Sequence, residues 1–526
     1  MENKKMKIIS IASIIALALT LVTATYAFFV AQTGEGAQTD IKINANTVDT
    51  FTFEAGSALN LSLNQENFAS GKGNQTGTTF AKAMLTANNK TNTATEHYYL
   101  YLNISNNTFT YSIDNNTPEI LLSIKDGSNN EITSVSGLTY KTVTDGKGAS
   151  IKGFDITTKS GLITILNNRE ITTTSTKTEQ WNVTVTFVNY NANQAGNAGK
   201  RFSAKLMIQQ EKILTVLSDV CTSGNNLATC ITTLSNKSEP SIVNIYHHDS
   251  SLANGARDNS YRYAGANPNN FVCFGTTESP CPTDNLYRII GVINDKVKLI
   301  KYDYMTTDEL GTDGDYSQTY KEWGMDSTYK GTYGDGERIG VYFWNNDAGT
   351  NTWSTSLLNK TNLNTNFINN IGTTWANKIA TVTWKVGGNT WANIGTKTSS
   401  VAYTNEITNP VTTNTTDNAT TYSAKIGLMY VSDYGFAASP DAWTLTMSSY
   451  NNTTATNNNW MYMGLYEWTI SRNADDSSYA FNVSSVGRVN GYSVVSYSGV
   501  RASFNLESSV SYVSGSGSMS DPIVIN

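Results

Sequence analysis

Short apolar runs at every second position constrain this chain more than any other feature, and they recur through its first two hundred residues. Ile41-Lys42-Ile43, Phe51-Thr52-Phe53, Leu59-Asn60-Leu61-Ser62-Leu63 and Val183-Thr184-Val185-Thr186-Phe187 all alternate. Successive side chains on a strand point to opposite faces, so each run buries one face and wets the other, as in an antiparallel sandwich. Tyr99-Leu100-Tyr101-Leu102 is continuously apolar, and a further strand is expected over 202–208. Loops of Gly, Asn, Asp and Ser at 71–77 and 126–130 separate these runs. Residues 28–210 are therefore expected to form an all-β, jelly-roll-like sandwich.

Composition narrows the function classes. Charged residues make up 15% of the 526, and the formal net charge is −6 with no basic run, which removes the electrostatic footprint of a nucleic-acid binder. With 39% hydrophobic and 11% aromatic residues the chain can fill cores, so disorder is excluded too. Only three His are present, which leaves little material for His-based catalysis.

The first segment bears on the compartment. Lys4, Lys5 and Lys7 precede an apolar stretch that ends in Ala24-Thr25-Tyr26-Ala27. This pattern predicts a secretory signal peptide over 1–27, cut between Ala27 and Phe28. An uncleaved anchor is the alternative, because no charge falls between Ile8 and Gly34. Either way residues 28–526 are expected outside the cytoplasm, secreted or held on the cell surface, with the membrane touched only through an uncleaved N-terminal segment. Four Cys in such a chain favour disulfides. Cys221, Cys230, Cys273 and Cys281 allow three connectivities, of which adjacent pairing is the simplest. Neither spacing suits zinc, and no metal or other cofactor is expected.

After residue 210 the period changes. Ile213, Val216, Leu217 and Val220 repeat at three to four, as do Leu227, Ile231 and Leu234. Two short helices meeting at Gly224-Asn225-Asn226 are expected, followed by a polar stretch holding His247-His248-Asp249 in a solvated loop. Residues 211–258 thus read as a joint and linker before a second domain at 259–526. In that domain residues 286–293 and 297–301 flank Asn294-Asp295-Lys296 as a hairpin. Thr374-Trp375-Ala376-Asn377 and Thr390-Trp391-Ala392-Asn393 are local echoes of one another. Acids gather at Asp308, Glu309, Asp313, Asp315, Asp335 and Glu337 around Gly-rich turns; calcium would suit such oxygens, but the twelve-residue calcium loop is missing and a solvated acidic loop is the favoured reading.

Two resemblances add to this. The Thr25-Tyr26-Ala27-Phe28-Phe29 junction, the segment Trp181-Asn182-Val183-Thr184-Val185-Thr186-Phe187-Val188-Asn189, and Asn193-Gln194 with the strand beginning at Phe202 resemble the TasA/camelysin family, over about residues 20–210. The resemblance implies a jelly-roll subunit of extracellular biofilm fibres, exported through a SipW-type signal peptidase. It also implies self-assembly in which Phe28-Phe29-Val30 adds a strand to the next subunit. Camelysin-like proteins are described as proteases, but no H-E-x-x-H is present, and His97 reads as a strand residue.

Gly464-Leu465-Tyr466-Glu467-Trp468-Thr469 and, about thirty residues on, Gly499-Val500-Arg501-Ala502 resemble the signature of the C-type-lectin-like fold. The branch is the one containing formylglycine-generating enzymes and recurrent domains of Firmicutes surface proteins. Leu465-Tyr466 departs from the usual Val-Trp, and Ala502 stands where Pro is common. Glu467 and Arg501 are expected to form a structural pair, and Trp468 to be core. The copper-binding Cys pair of the enzymes has no counterpart near the motif. Between the two motif segments, residues 484–498 are rich in Tyr, Ser, Gly and Asn, the vocabulary of antibody contact loops. In retroelement-diversified proteins of this fold the variable residues lie here. The candidate ligand-binding set is Ser484, Ser485, Arg488, Asn490, Tyr492, Ser493, Ser496 and Tyr497, with an ordinary polar loop as the alternative.

The chain is thus expected to be mainly β: a jelly-roll-like sandwich, a short helical joint and an α+β C-type-lectin-like domain. The expected function is a non-enzymatic surface protein in which an assembly module carries a lectin-like domain for adhesion to a glycan or protein ligand. A purely structural fibre or pilus-like subunit is the alternative, and an enzyme on the formylglycine-enzyme-like fold a third.

Overall fold

The computed structural model describes residues 49–68, 71–88, 93–323, 328–334, 336, 338–410 and 419–526. The expected signal peptide, its Ala27/Phe28 junction, the Phe28-Phe29-Val30 segment, the Ile41 run and the acids Asp335 and Glu337 lie outside these residues. The chain is mainly β, with 37% strand against 19% helix, and it divides into two compact units, Met1–Ile213 and Leu214–Asn526.

The first unit is a two-sheet sandwich. One sheet runs Thr50–Ala55, Gln75–Thr86, Thr176–Phe187, Ile120–Asp126, Ser150–Asp155, Tyr140–Thr144; the other runs Leu59–Ser62, Arg201–Gln209, Ala94–Asn107, Gly161–Thr173. Neighbours pair antiparallel throughout. Alternation decides which side faces inward. Ala81, Ala83 and Leu85 on one strand and Val183, Val185 and Phe187 on its neighbour share a core with Phe202, Ala204, Leu206 and Ile208 of the opposing sheet. Each large apolar side chain buried this way contributes roughly 1.5–3 kcal/mol. Buried polar groups are satisfied internally: Trp181 Nε1 donates to Tyr98 Oη (2.8 Å), which donates to Glu179 (2.7 Å). Gln194 is clamped between Glu119 and the Val188 carbonyl, so it closes a loop of the sandwich. His97 sits in the strand Ala94–Asn107, beside Glu170.

In the second unit the stretch expected as joint and linker is packed into the core. Helix Leu227–Lys237 starts where Asn226 accepts the Thr229 amide (3.0 Å), and it buries Leu227, Ile231 and Leu234 in one cluster with Tyr287, Leu299 and Tyr512. The run from Ile213 to Val220 forms only a 3-10 turn, Leu217–Asp219, because the Asp219 carboxylate takes up the amides of Thr215 and Val216. Cys221–Cys230 and Cys273–Cys281 are disulfides, the adjacent pairing. His247 and His248 are not in a solvated loop. Strand Ile245–His247 pairs with Tyr261–Tyr263, and His248 is fully buried with its ring 4.8 Å from Phe436 and 5.1 Å from Trp443. Burial lowers its pKa to about 3, so the ring is neutral and its Nδ1 accepts the Ala256 amide.

Two sheets organise this unit. A nine-stranded sheet is centred on the hairpin Leu286–Ile293 and Lys296–Lys301. Asn294 and Asp295 at its turn both take positive φ (49° and 59°), the left-handed geometry that matches strand twist in tight hairpins. A six-stranded sheet runs Tyr316–Thr319, Gly340–Phe343, Tyr497–Gly499, Glu467–Arg472, Tyr479–Val483, Val489–Ser493. Residues 484–498, expected as a loop, are about half strand: a turn leads into the edge strand Val489–Ser493, and a second turn leads into Tyr497–Gly499. Several buried charges are paired. Arg262 contacts Asp258 (2.8 Å) and Asp433 (3.0 Å), and Lys298 contacts Asp433 (2.5 Å).

Candidate functional site

The two motif segments meet at the centre of the six-stranded sheet, where Tyr497–Gly499 and Glu467–Arg472 are neighbours. Gly464 has φ +90°, and a Cβ there would lie 1.8 Å from the Thr328 carbonyl oxygen, so only glycine fits. Trp468 is buried and donates through Nε1 to the Tyr342 carbonyl (2.8 Å). Gly499 bridges in parallel to Glu467, and its amide donates to the Tyr466 carbonyl (2.8 Å). Arg501 Nε donates to Glu467 Oε1 (2.8 Å), and Arg501 Nη2 donates to the Met461 carbonyl (2.5 Å). Burial raises the Glu467 carboxyl above its ordinary range, against the pull of Arg501. Burial also works against the guanidinium, but Glu467 more than offsets it and keeps Arg501 protonated. These residues are structural pins with no access to solvent.

An open groove of about 560 Å³ lies alongside. Its aromatic lining is Trp391, Tyr466, Tyr479 and Tyr492; its polar lining is Asn473, Asp476 and Asn490; Gly491 completes it. Strand register explains the arrangement. Phe481 faces Gly491 and Tyr479 faces Ser493, which puts these four on one face; Asn482 faces Asn490 and Ala480 faces Tyr492 on the other. Trp391 stacks on Phe481 (6.0 Å, 20°) on the first face, and Tyr466 stacks on Tyr492 (5.9 Å, 22°) on the second. The groove therefore crosses the sheet edge at Gly491.

The backbone there is open. Ser484 N donates to Arg488 O and Val494 N to Ser478 O, at 2.8 and 2.9 Å. In an antiparallel pair bonded and non-bonded positions alternate, so Val489, Gly491 and Ser493 turn their amide and carbonyl groups to the free edge. Ser493 O accepts from Ser496 N (2.8 Å). Those of Val489 and Gly491 have no partner among the described residues. A Cβ at 491 would meet only Asn473 Nδ2 at 3.8 Å and the Tyr479 ring at 3.9 Å, so the missing side chain is what keeps the groove floor clear. Supporting contacts fix the walls. Asp475 Oδ2 accepts the Trp391 amide (3.2 Å), Asn389 pairs with Asn473 in a parallel bridge, and Asp476 Oδ1 accepts the Ser478 amide (2.8 Å). Burial raises the Tyr492 hydroxyl pKa, with Tyr466 adding to it, so that hydroxyl stays a donor at neutral pH.

Of the eight residues expected to contact ligand, Asn490 and Tyr492 line the groove. Ser484 and Ser485 are buried in the turn: Ser484 Oγ accepts the Arg488 amide (3.1 Å) and the Ser485 carbonyl accepts the Tyr462 hydroxyl. Arg488 is exposed at that turn. Ser493 pairs with Tyr479, Ser496 belongs to the next turn, and Tyr497 packs edge-on against Phe343 (6.1 Å). Trp391, Asn473, Asp476 and Tyr479 were not expected. Trp391 had a signal in the Thr390-Trp391-Ala392-Asn393 echo, whose counterpart Trp375 instead packs on Phe274 (5.0 Å). The acidic region does not converge. Asp313 accepts from Asn366 (2.6 Å), Asp315 accepts the Asn346 and Leu358 amides, and Glu309 pairs with Lys301. Among the described residues no three His, Cys, Asp or Glu side chains could share a metal, and no helix is long and apolar enough to cross a membrane.

Comparison of the chain with protein-family models, with curated proteins and with solved structures found no match. The likenesses to the TasA and C-type-lectin-like families rest on the motif residues alone.

Proposed function

We propose that this chain is an exported surface protein that binds a ligand through the second unit without catalysing a reaction, and that the first unit is its assembly or display module. The groove at Gly491 carries the reading. It combines four aromatic rings, two amides, one carboxylate and an open main-chain position on a rigid sheet edge, which is what a recognition site needs. The two disulfides suit an oxidising compartment. The motif carboxylate Glu467 is tied to Arg501 and buried, which favours binding over catalysis. The TasA-like motif residues support the display role of the sandwich.

An array carrying glycans and surface proteins, probed with the full chain and with Trp391→Ala, tests the proposal. Binding to at least one partner, weakened tenfold or more by the substitution at unchanged melting temperature, is the expected result. Equal binding by both proteins would move the site elsewhere.

A further inference from the structure

Resting on the reading of the groove as a binding site, we infer that its ligand is a neutral pyranose glycan, held without a metal. Three other chemistries fit the lining less well. No Lys, Arg or His lines the groove and Asp476 does, so an anion would meet repulsion without compensation. A quaternary ammonium is held in a cage of rings; here the lining rings Tyr466 and Tyr492 are nearly parallel, at 22°, and Trp391 lies flat on the buried Phe481, at 20°, so these rings offer flat faces and no cage. An added peptide strand needs a run of open main-chain positions. Only Gly491 is open, because Val489 is buried, Ser493 O is taken by Ser496 and the turn Met447–Ser449 lies against the same strand.

A pyranose matches what is left. One face of the ring is a patch of C–H groups that lies flat on an aromatic side chain, and the rim carries hydroxyls that both donate and accept. Trp391 and Tyr479 on one side of the edge and Tyr466 and Tyr492 on the other supply the flat faces. Asp476 supplies an acceptor, Asn473 and Asn490 supply both kinds of group, and the Gly491 amide and carbonyl supply one of each at the floor. Two aromatic flanks across one strand fit two or more linked rings better than a monosaccharide. Calcium has no part in this, since the carboxylates near the groove are used singly.

Isothermal titration of the full chain, with EDTA present, tests it against four probes. They are neutral hexose and N-acetylhexosamine oligosaccharides, polygalacturonate oligomers, choline, and extended uncharged peptides. The inference expects a neutral oligosaccharide to bind, with at least tenfold loss in Trp391→Ala and in Gly491→Phe, whose added ring fills the floor. Calcium in place of EDTA should change affinity by less than twofold. Preference for the acidic oligomers, choline or peptides, lost in the same variants, would overturn the glycan assignment while leaving the groove as the binding site. Failure of every neutral oligosaccharide to bind would also overturn it. Binding that survives both substitutions would overturn the groove itself.

Discussion

At the scale of single residues, several side chains sit where their surroundings leave them no alternative. Gly464→Ala forces a methyl group onto the Thr328 carbonyl at positive φ, and we expect a loss of about 2 kcal/mol or more in urea unfolding. Arg501→Met leaves Glu467 buried without its cation and is expected to cost about 3–5 kcal/mol, most of it recovered when Glu467→Leu is added. Glu406 predicts a pH effect. It is fully buried, accepts the amides of Val431 and Ser432, and is pushed by burial from 4.5 to about 7. Between those two values the folded state holds a proton that the unfolded state has lost. Glu406 should therefore make stability fall as pH rises from 4.5 to 7, by about 1.4 kcal/mol for each pH unit crossed, and level off above. Melting curves across that range should show a flatter profile in Glu406→Gln; an identical slope in both proteins would remove Glu406 as the cause. Trp468 and the Glu467–Arg501 pair were legible because the motif names them. The burial of His248 was not, because a neutral ring between Phe436 and Trp443 leaves no local pattern.

At the scale of elements, legibility followed periodicity. Leu59-Asn60-Leu61-Ser62 lies within a strand whose buried and exposed residues alternate, so one wet face and one dry face are written into the chain; Phe51-Thr52-Phe53 and the run from Val183 to Phe187 also lie within strands, though the first is half-buried throughout. The hairpin at Asn294-Asp295 was legible from its turn residues, and it carries its own prediction. Asp295 holds positive φ despite its side chain, so Asp295→Gly should raise stability by about 0.5–1 kcal/mol in the same unfolding measurement. The strand Val489–Ser493 was hidden for a physical reason. It is an edge strand with half-buried Asn490, Gly491, Tyr492 and Ser493, so burial imposes no alternation, and its composition is that of a turn. Residues 211–258 misled in the other direction, because polar sequence between short apolar segments looks like linker when its few apolar side chains are in fact core.

At the scale of the whole molecule, two β-rich units each carry their own core, and the proposed binding groove lies at one sheet edge of the second. The groove could not be read from sequence because its walls come from four separate stretches: 391, 466, 473–479 and 490–492. No local window contains them; the register sets Phe481 opposite Gly491 and Tyr492 on the other face, and Trp391 joins them only by stacking on Phe481. The decisive measurement for the groove is adhesion by the full chain and by Gly491→Phe, compared at equal melting temperature on the surface that the wild-type chain binds. At least a tenfold loss of adhesion with the fold intact is predicted; full adhesion by a folded Gly491→Phe protein would contradict it.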